Sequence, residues 1–283
     1  MNRLQRSHQP TVSSVLDRIS NTLRGIKRQY SANTLEPEAA HRQVDEEQAY
    51  PHGTKKYTPI IITDSKGYNL ESQASTTTER DITWFCRKGA RIRECREWLE
   101  SSIETLIQEE GNIWVYVWAG TCDFTIKNGR YISLRTHDDS VVDDIIAETN
   151  LITQCIEAHP GSKVTILEIP LYSIVNWNWA AGISKNQIQS FYQHNKDLEE
   201  QIVSVNRKIR EVNTSNISYS PKFSSDLTLI QKHRKGDRHR VTRRVQHRFE
   251  LYFDGVHPRQ LLSKVWLRKI EQQIIKDCWE TSN

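Results

Sequence analysis

Two short segments carry residue types from which a reaction could be built, Asp64-Ser65 and Asp254-Gly-Val-His257. The first follows Ile60-Ile-Ile, a β-branched run typical of a buried parallel strand. A serine just past the carboxyl end of such a strand lies where open α/β sheets keep their reactive groups. In the competing interpretation, Asp64 or Ser65 only caps the next helix. The second segment, near the end of the chain, favours the reactive interpretation.

Apolar periodicity predicts the elements that must position these segments. Further buried strands are expected at 112–119 and 163–170, and another at 217–223. Amphipathic helices are expected at about 90–110, 138–158, 187–212 and 260–278. Gly89 falls in a strand-to-helix loop after Trp84-Phe85-Cys86, and Gly120-Thr-Cys-Asp123 forms a turn after the strand at 112–119. The alternation of strands and helices predicts a three-layer α/β/α domain with a mostly parallel central sheet.

Four fragments of the chain occur in the order of one family's sequence blocks. They are Asp64-Ser65-x-Gly67, Gly89, Gly120-Thr-x-Asp123 and Asp254-x-x-His257. Over about 57–280 the chain therefore resembles the SGNH (GDSL-like) hydrolase superfamily of esterases, lipases, acetylhydrolases and thioesterases. The resemblance implies an SGNH/flavodoxin-like fold and hydrolysis of a small acyl ester, without a metal ion or cofactor.

The resemblance also implies a role for each matched residue. Ser65 would be the nucleophile and His257 the base that takes its proton, because a neutral serine is a poor nucleophile. Asp254 would hold the imidazole in the useful tautomer and stabilise the imidazolium. The oxyanion would be stabilised by the amides of Ser65 and Gly89 and by an asparagine side chain, whose position is held here by Cys122.

This asparagine is where the sequence departs from the family, which has Gly-x-Asn-Asp. A thiol is a weak donor, and losing one oxyanion donor typically lowers the rate by about 10²–10³-fold. Thr63 also replaces the glycine that usually precedes Asp-Ser. These departures leave a non-catalytic protein of the same fold as an alternative. Cys122 could instead be a small buried residue that fills the turn, or a nucleophile paired with His257.

Composition limits the other classes of protein. The 283 residues include 26% charged and 36% apolar residues, and no run approaches the ~20 apolar residues that span a bilayer. The N-terminus lacks a signal-peptide core, and the cysteines are scattered without metal-type spacing. We therefore expect an intracellular protein, cytoplasmic or nuclear. The cysteines are Cys86, Cys95, Cys122, Cys155 and Cys278.

The net charge of +4 is unevenly distributed. Residues 1–56 are expected to form a basic amphipathic helix and an acidic flexible linker, ahead of a folded domain at 57–283. The helix could contact a membrane, a partner or nucleic acid, act as a transit peptide, or be a loosely attached arm.

A basic insert at 232–248 is either a solvated loop or a phosphate-binding segment. Its candidate nucleic-acid-binding residues are Arg234, Lys235, Arg238, Arg240, Arg243 and Arg244. The chain also resembles, more loosely, proteins of this fold from invertebrates and mobile elements with Gly-Thr-Cys-Asp in the third block. This second resemblance favours a nucleic-acid partner.

Overall fold

The computed structural model describes residues 53–234 and 241–280, with the backbone alone for 231–234 and 241–244. The helix and most of the linker predicted at 1–56 lie outside the described residues. The described part begins with strand β1 (Thr54–Lys55), which pairs antiparallel with the final strand β10 (Trp279–Glu280).

The central sheet has four parallel strands in the order β3-β2-β4-β7, which confirms the predicted fold class. These strands are β2 (Thr58–Thr63), β3 (Thr83–Cys86), β4 (Ile113–Trp118) and β7 (Lys163–Ile166). Every residue of β4 is buried, as expected for the middle of a sheet covered on both faces. The register sets Thr63, the last residue of β2, opposite Trp118, the last residue of β4. The turns that follow these two strands therefore begin at the same level of the sheet.

Helices flank this sheet. They are α1 (Lys66–Glu71), α2 (Thr77–Arg80), α3 (Ile92–Glu110), α4 (Ser140–Glu157), α5 (Ile174–Ala180), α6 (Lys185–Ile188), α7 (Phe191–Ser215) and α8 (Gln260–Cys278). Long helices bury one apolar stripe each: in α3 it consists of Ile92, Cys95, Leu99, Ile103 and Leu106, at the three- and four-residue spacing of a helix face. None of the described helices combines the length and the hydropathy needed to cross a bilayer.

Two antiparallel hairpins are added to this core. One consists of β5 (Thr125–Asn128) and β6 (Tyr131–Leu134), and the other of β8 (Thr228–Arg234) and β9 (Val241–His247). Two short 3₁₀ helices span Phe223–Leu227 and Phe249–Leu251.

The prediction of a strand at 217–223 is wrong, because asparagine side chains bind the backbone at the β7 edge of the sheet, where that strand would pair. The Asn213 amide accepts a hydrogen bond from the Ile166 N–H (2.9 Å) and donates one to the Ile166 carbonyl (2.7 Å). Asn206 makes the same pair of bonds with Ile169, both at 2.8 Å. Polar backbone groups that are buried must find partners, and these amides supply them in place of a strand.

The single helix predicted at 187–212 is also wrong at its start. The helical backbone is interrupted between α6 and α7, where the Ser190 hydroxyl donates to the carbonyl of Gln187 (2.8 Å). A serine that bonds to a nearby carbonyl competes with the helical ladder. Beyond the break, α7 continues without interruption to Ser215.

The asparagine contacts at the sheet edge yield a stability prediction. Asn213→Ala leaves the N–H and C=O of Ile166 without partners in a buried setting. Since an unsatisfied buried polar group typically costs about 1–3 kcal/mol, the free energy of unfolding should fall by about 2–4 kcal/mol in a urea titration. Asn150→Ala, at an exposed position of α4, is the control and should change it by less than about 0.5 kcal/mol. Equal effects of the two variants would contradict this role of Asn213.

Candidate active site

Ser65 stands at the turn from β2 into α1, at the N-cap position of that helix. Its hydroxyl makes no capping hydrogen bond to the helix. Instead, Ser65 Oγ lies 2.9 Å from Nε2 of His257, which is 192 residues away in the chain. The side chain is therefore directed at a candidate base, and the simple capping interpretation of Ser65 does not describe it.

The turn 254–257 orients the imidazole. Asp254 Oδ2 lies 2.7 Å from His257 Nδ1, while Oδ1 accepts the amides of Val256 (3.0 Å) and His257 (2.8 Å). Burial of Asp254 favours its neutral form, but the hydrogen bonds from His257 outweigh this and lower the pKa of the carboxyl below its usual value. An ionised Asp254 fixes a proton on Nδ1 and leaves Nε2 free to accept one from Ser65.

Gly255 allows this turn to dock closely against the start of α5. Its φ is +92°, and a Cβ there would lie 2.8 Å from the amide nitrogen of Trp177 and 2.9 Å from the carbonyl oxygen of Ser173. The Ser173 N–H donates to the Gly255 carbonyl (2.9 Å), and the Trp177 ring lies 5.8 Å from the His257 ring. Only glycine satisfies both the positive φ and the close backbone approach.

A buried ion pair lies directly beneath the serine. Lys66 and Asp64 are 2% and 1% exposed, and the Lys66 ammonium bonds to Asp64 Oδ2 and to the Thr121 hydroxyl (2.6 Å). Asp64 Oδ1 also accepts the Lys66 amide (2.9 Å). The ammonium lies 5.3 Å from the centre of the Trp118 ring. Lys66 thus ties the turn after β2 to the turn after β4.

Asp123 extends this connection to the loop that contains Gly89. Its Oδ2 accepts the N–H of Ile92, the first residue of α3, at 3.1 Å. Arg135 in turn donates to the carbonyl oxygen of Asp123 (2.6 Å). The Gly120–Asp123 turn is therefore bound to the start of α3 and helps to position the loop that contains Gly89.

Cys122 is half-buried and faces the same cavity as Gly89. Burial, with a smaller contribution from the Asp64 charge, raises the pKa of the Cys122 thiol to about 11. The thiol is consequently neutral at ordinary pH, and a thiolate nucleophile at this position is disfavoured. All five cysteines of the chain are unpaired thiols.

Thr63, the other departure from the family pattern, is accommodated by its surroundings. Its hydroxyl donates to the carbonyl of Trp118 (3.0 Å), so the added polar group is satisfied. Its methyl group lies against Gly67, where a Cβ would also meet Cys86 Sγ at 2.6 Å.

One cavity of about 450 Å³ brings the predicted site residues together. Ser65, Gly89, Cys122 and His257 line it, with Ile132, Trp177 and Val256 forming an apolar wall. Part of this lining comes from the β5–β6 hairpin, which the periodicity argument missed. A signal for it was present in the sequence, because Asn-Gly and glycine-first pairs are typical of hairpin turns. In the structure Asn128 pairs with Tyr131, and the turn between them is Gly129-Arg130, where Gly129 takes a φ of +62°.

The basic insert predicted at 232–248 falls largely in the β8–β9 hairpin. Arg234, Arg243 and Arg244 belong to its two strands, whose register sets Lys232 opposite Arg243. Lys235, Arg238 and Arg240 lie outside the described residues. Within the described chain, no three His, Cys, Asp or Glu side chains are grouped as metal ligands.

Comparison with known proteins identifies the fold. No protein-family model and no curated protein sequence matches the chain. A GDSL-like lipase from Bacteroides thetaiotaomicron superimposes with a TM-score of 0.51 at 15% identity, over 84% of this chain and 97% of that one. A candidate acylhydrolase from Bacteroides fragilis gives 0.49 at 13% identity, over 84% and 95%. A Pseudoalteromonas esterase gives 0.40 at 13%, over 77% and 98%. The first of these superpositions shows that the chain has the fold of a GDSL-like lipase.

The environment of Asp123 predicts a pH-dependent stability. Burial raises its pKa from 3.8 to about 7, despite the Ile92 amide and the nearby Arg91 and Arg135 charges. Because the pKa of Asp123 is higher in the folded than in the unfolded protein, the carboxyl contributes to the free energy of unfolding in its neutral form. This contribution is complete below about pH 4 and is lost as the pH rises through about 7. Asp123→Asn keeps an acceptor for Ile92 and cannot ionise.

The melting temperature of Asp123→Asn, relative to that of the unmodified protein, should therefore rise between pH 5 and pH 8.5. The corresponding change in the difference in unfolding free energy is at most about 3 kcal/mol. Asp144→Asn, at an exposed position of α4, should show no such trend. The same melting difference at both pH values would show that Asp123 is already ionised in the folded protein.

Proposed function

We propose that this chain is a serine ester hydrolase of the SGNH (GDSL-like) superfamily that cleaves small acyl esters. The observation that carries the proposal is the hydrogen-bonded series Ser65–His257–Asp254, with separations of 2.9 and 2.7 Å, at the mouth of a cavity. The shared fold with a GDSL-like lipase supports it, because the series lies at the carboxyl end of the parallel sheet, where α/β folds bind their ligands.

In the proposed reaction, Ser65 Oγ attacks the ester carbonyl carbon while His257 Nε2 takes the hydroxyl proton. The tetrahedral intermediate collapses to an acyl-serine, and His257 returns the proton to the leaving alcohol. Water then attacks the acyl-serine, again with His257 as the base, and releases the acid. Asp254 stabilises the imidazolium that forms in both steps.

Two backbone donors serve the oxyanion in this proposal, the amides of Ser65 and Gly89. Cys122 occupies the position of a third donor but presents a neutral thiol, which donates weakly. The proposed enzyme is therefore active but slower than one with an amide side chain in that place.

A fluorophosphonate probe tests the nucleophile. The probe should label the unmodified protein and the control Ser101→Ala, which removes an exposed hydroxyl of α3. It should not label Ser65→Ala. His257→Ala should lower kcat/KM for a neutral activated ester by about 10³-fold or more while leaving the melting temperature nearly unchanged, because the ring is only half-buried.

Absence of labelling in folded, unmodified protein would overturn the proposed activity. A large loss of melting temperature in His257→Ala would instead identify the histidine as a structural residue.

Restoring the missing donor gives a second test. Cys122→Asn can direct an amide N–H at the oxyanion and should raise kcat/KM for a small activated ester by about tenfold, part of the 10²–10³ that such a donor typically contributes. Cys122→Leu introduces a side chain of about the size of asparagine but without a hydrogen-bond donor, and it serves as the matched control. A gain in both variants would attribute the effect to packing, and a loss in both would indicate that the thiol itself takes part.

A second candidate function, binding of nucleic acid, is favoured by the register of the basic hairpin. Lys232 and Arg243 occupy directly opposed positions of β8 and β9, and like charges so placed destabilise a strand pair unless an anion offsets them. A row of phosphates would provide such an anion. This role fits a protein encoded by a mobile element or virus.

Binding of a fluorescent oligonucleotide should then weaken steeply with salt. The double variant Lys232→Gln/Arg243→Gln, which removes the directly opposed pair, should lower the slope of log Kd against log salt by about 1.5. The control Lys196→Gln/Arg207→Gln removes two cations from α7 and should leave the slope unchanged. Equal slopes for both double variants would exclude the hairpin as the binding surface.

A further inference from the structure

We propose that the ester cleaved at this site carries an anionic group, a carboxylate or a phosphate, held by Lys88, Arg91 and Lys127. This inference rests on the proposed function and adds the chemical class of the substrate to it. The three cations line the same cavity of about 450 Å³ as Ser65 and His257.

The three side chains reach this cavity from different parts of the fold. Lys88 lies in the loop between β3 and α3, directly before Gly89, and Arg91 immediately precedes α3. Lys127 belongs to β5, in the hairpin inserted after the Cys122 turn. Because separate elements bring them together, their clustering at the cavity is not a by-product of one charged segment of sequence.

Their charges are not offset by neighbouring ion pairs. Among the described residues, none of the three forms a salt bridge, whereas the α3 arginines Arg93 and Arg96 both pair with glutamates. In the described lining of the cavity, Asp64 is the one acidic residue, and its charge is already matched by Lys66. The cavity thus presents a positive potential that a substrate anion would lower.

Asp123 does not remove this excess of charge. The Arg91 charge favours its ionised form, but burial still raises its pKa to about 7. Its carboxylate is also bound to the Ile92 amide and lies outside the lining of the cavity. Arg91 therefore remains available to a ligand.

The rest of the cavity indicates the form of the ligand. Ile132, Trp177 and Val256 provide an apolar wall next to the His257 ring. A substrate with an apolar segment at the ester and a charged end satisfies both surfaces. Since the three cations are exposed to solvent, we expect them to select the anion by about tenfold in kcat/KM at low salt.

Matched esters with one leaving group test this inference. The first pair is mono-4-nitrophenyl adipate, which keeps a free carboxylate, and 4-nitrophenyl methyl adipate, in which a methyl ester neutralises it. The second pair is the 4-nitrophenyl ester of a phosphonoalkanoic acid and the same ester with its phosphonate capped as a neutral dialkyl ester. The ratio of kcat/KM, anionic over neutral, should be about ten in at least one pair and should fall as salt screens the exposed cations. The pair with the larger ratio distinguishes carboxylate from phosphate.

Variants then assign the selectivity to the cavity. Lys127→Gln and Arg91→Gln should each lower the anionic-to-neutral ratio several-fold, and Lys127→Glu should lower it further. Arg130→Gln is the control, since Arg130 is an exposed cation of the same hairpin that does not line the cavity. Its ratio should equal that of the unmodified protein.

A ratio at or below one in both pairs, or an equal change in Arg130→Gln, would overturn the inference. Fluorophosphonate labelling of Ser65 separates this failure from failure of the proposed function. If Ser65 is labelled but neutral esters are preferred, the esterase proposal stands and the anionic substrate is ruled out. If Ser65 is not labelled, both proposals are overturned.

Discussion

Burial of one ammonium group, that of Lys66, is the interaction on which the site depends. A charged group taken out of water is costly unless it is paired and hydrogen bonded, so Lys66 requires both Asp64 and Thr121. Asp64 precedes Ser65, and Thr121 precedes Cys122. The same ion pair therefore fixes the proposed nucleophile and Cys122, at the proposed third oxyanion position, relative to each other.

The sheet makes this arrangement possible. Parallel pairing sets Thr63 opposite Trp118, so the turns after β2 and β4 start side by side. Asp123 then binds the first amide of α3 and holds the Gly89 loop against the same turn. The Asp254–His257 turn docks separately, through the close contact of Gly255 with α5. Side-chain contacts between different turns thus hold the fragments with Ser65, Gly89 and Cys122, whereas a close backbone contact with α5 holds the Asp254–His257 turn.

The sequence predicted the parts of this structure that depend on local pattern. The buried strands β2 and β4 followed from consecutive β-branched and aromatic residues, and helix α8 from its apolar spacing. The site fragments were predicted from their order, which resembles that of the SGNH sequence blocks, and their roles remain predictions; the structure places them in turns after strands or before a helix, and several of them line one cavity.

Features that depend on long-range contacts were not predictable in the same way. The burial of Lys66 needs Thr121, 55 residues away, and no local pattern marks a lysine that will be buried. Asparagines of helix α7 bind the backbone at the edge of β7 and beyond it, so the strand that the local pattern predicts at 217–223 does not form there. The β5–β6 hairpin has a local signal in Asn128-Gly129, but its first strand is mostly exposed and so lacks the apolar periodicity of a buried strand.

The most direct test of the central claim is to trap the acyl-enzyme. The protein is mixed with 4-nitrophenyl acetate, quenched in acid during turnover, and digested with trypsin for mass spectrometry. The account predicts one acetyl group at Ser65, within the peptide 57–66, and none there in His257→Ala. Turnover with the acetyl group on Cys122, or with no acetylated Ser65 at any time, would contradict it.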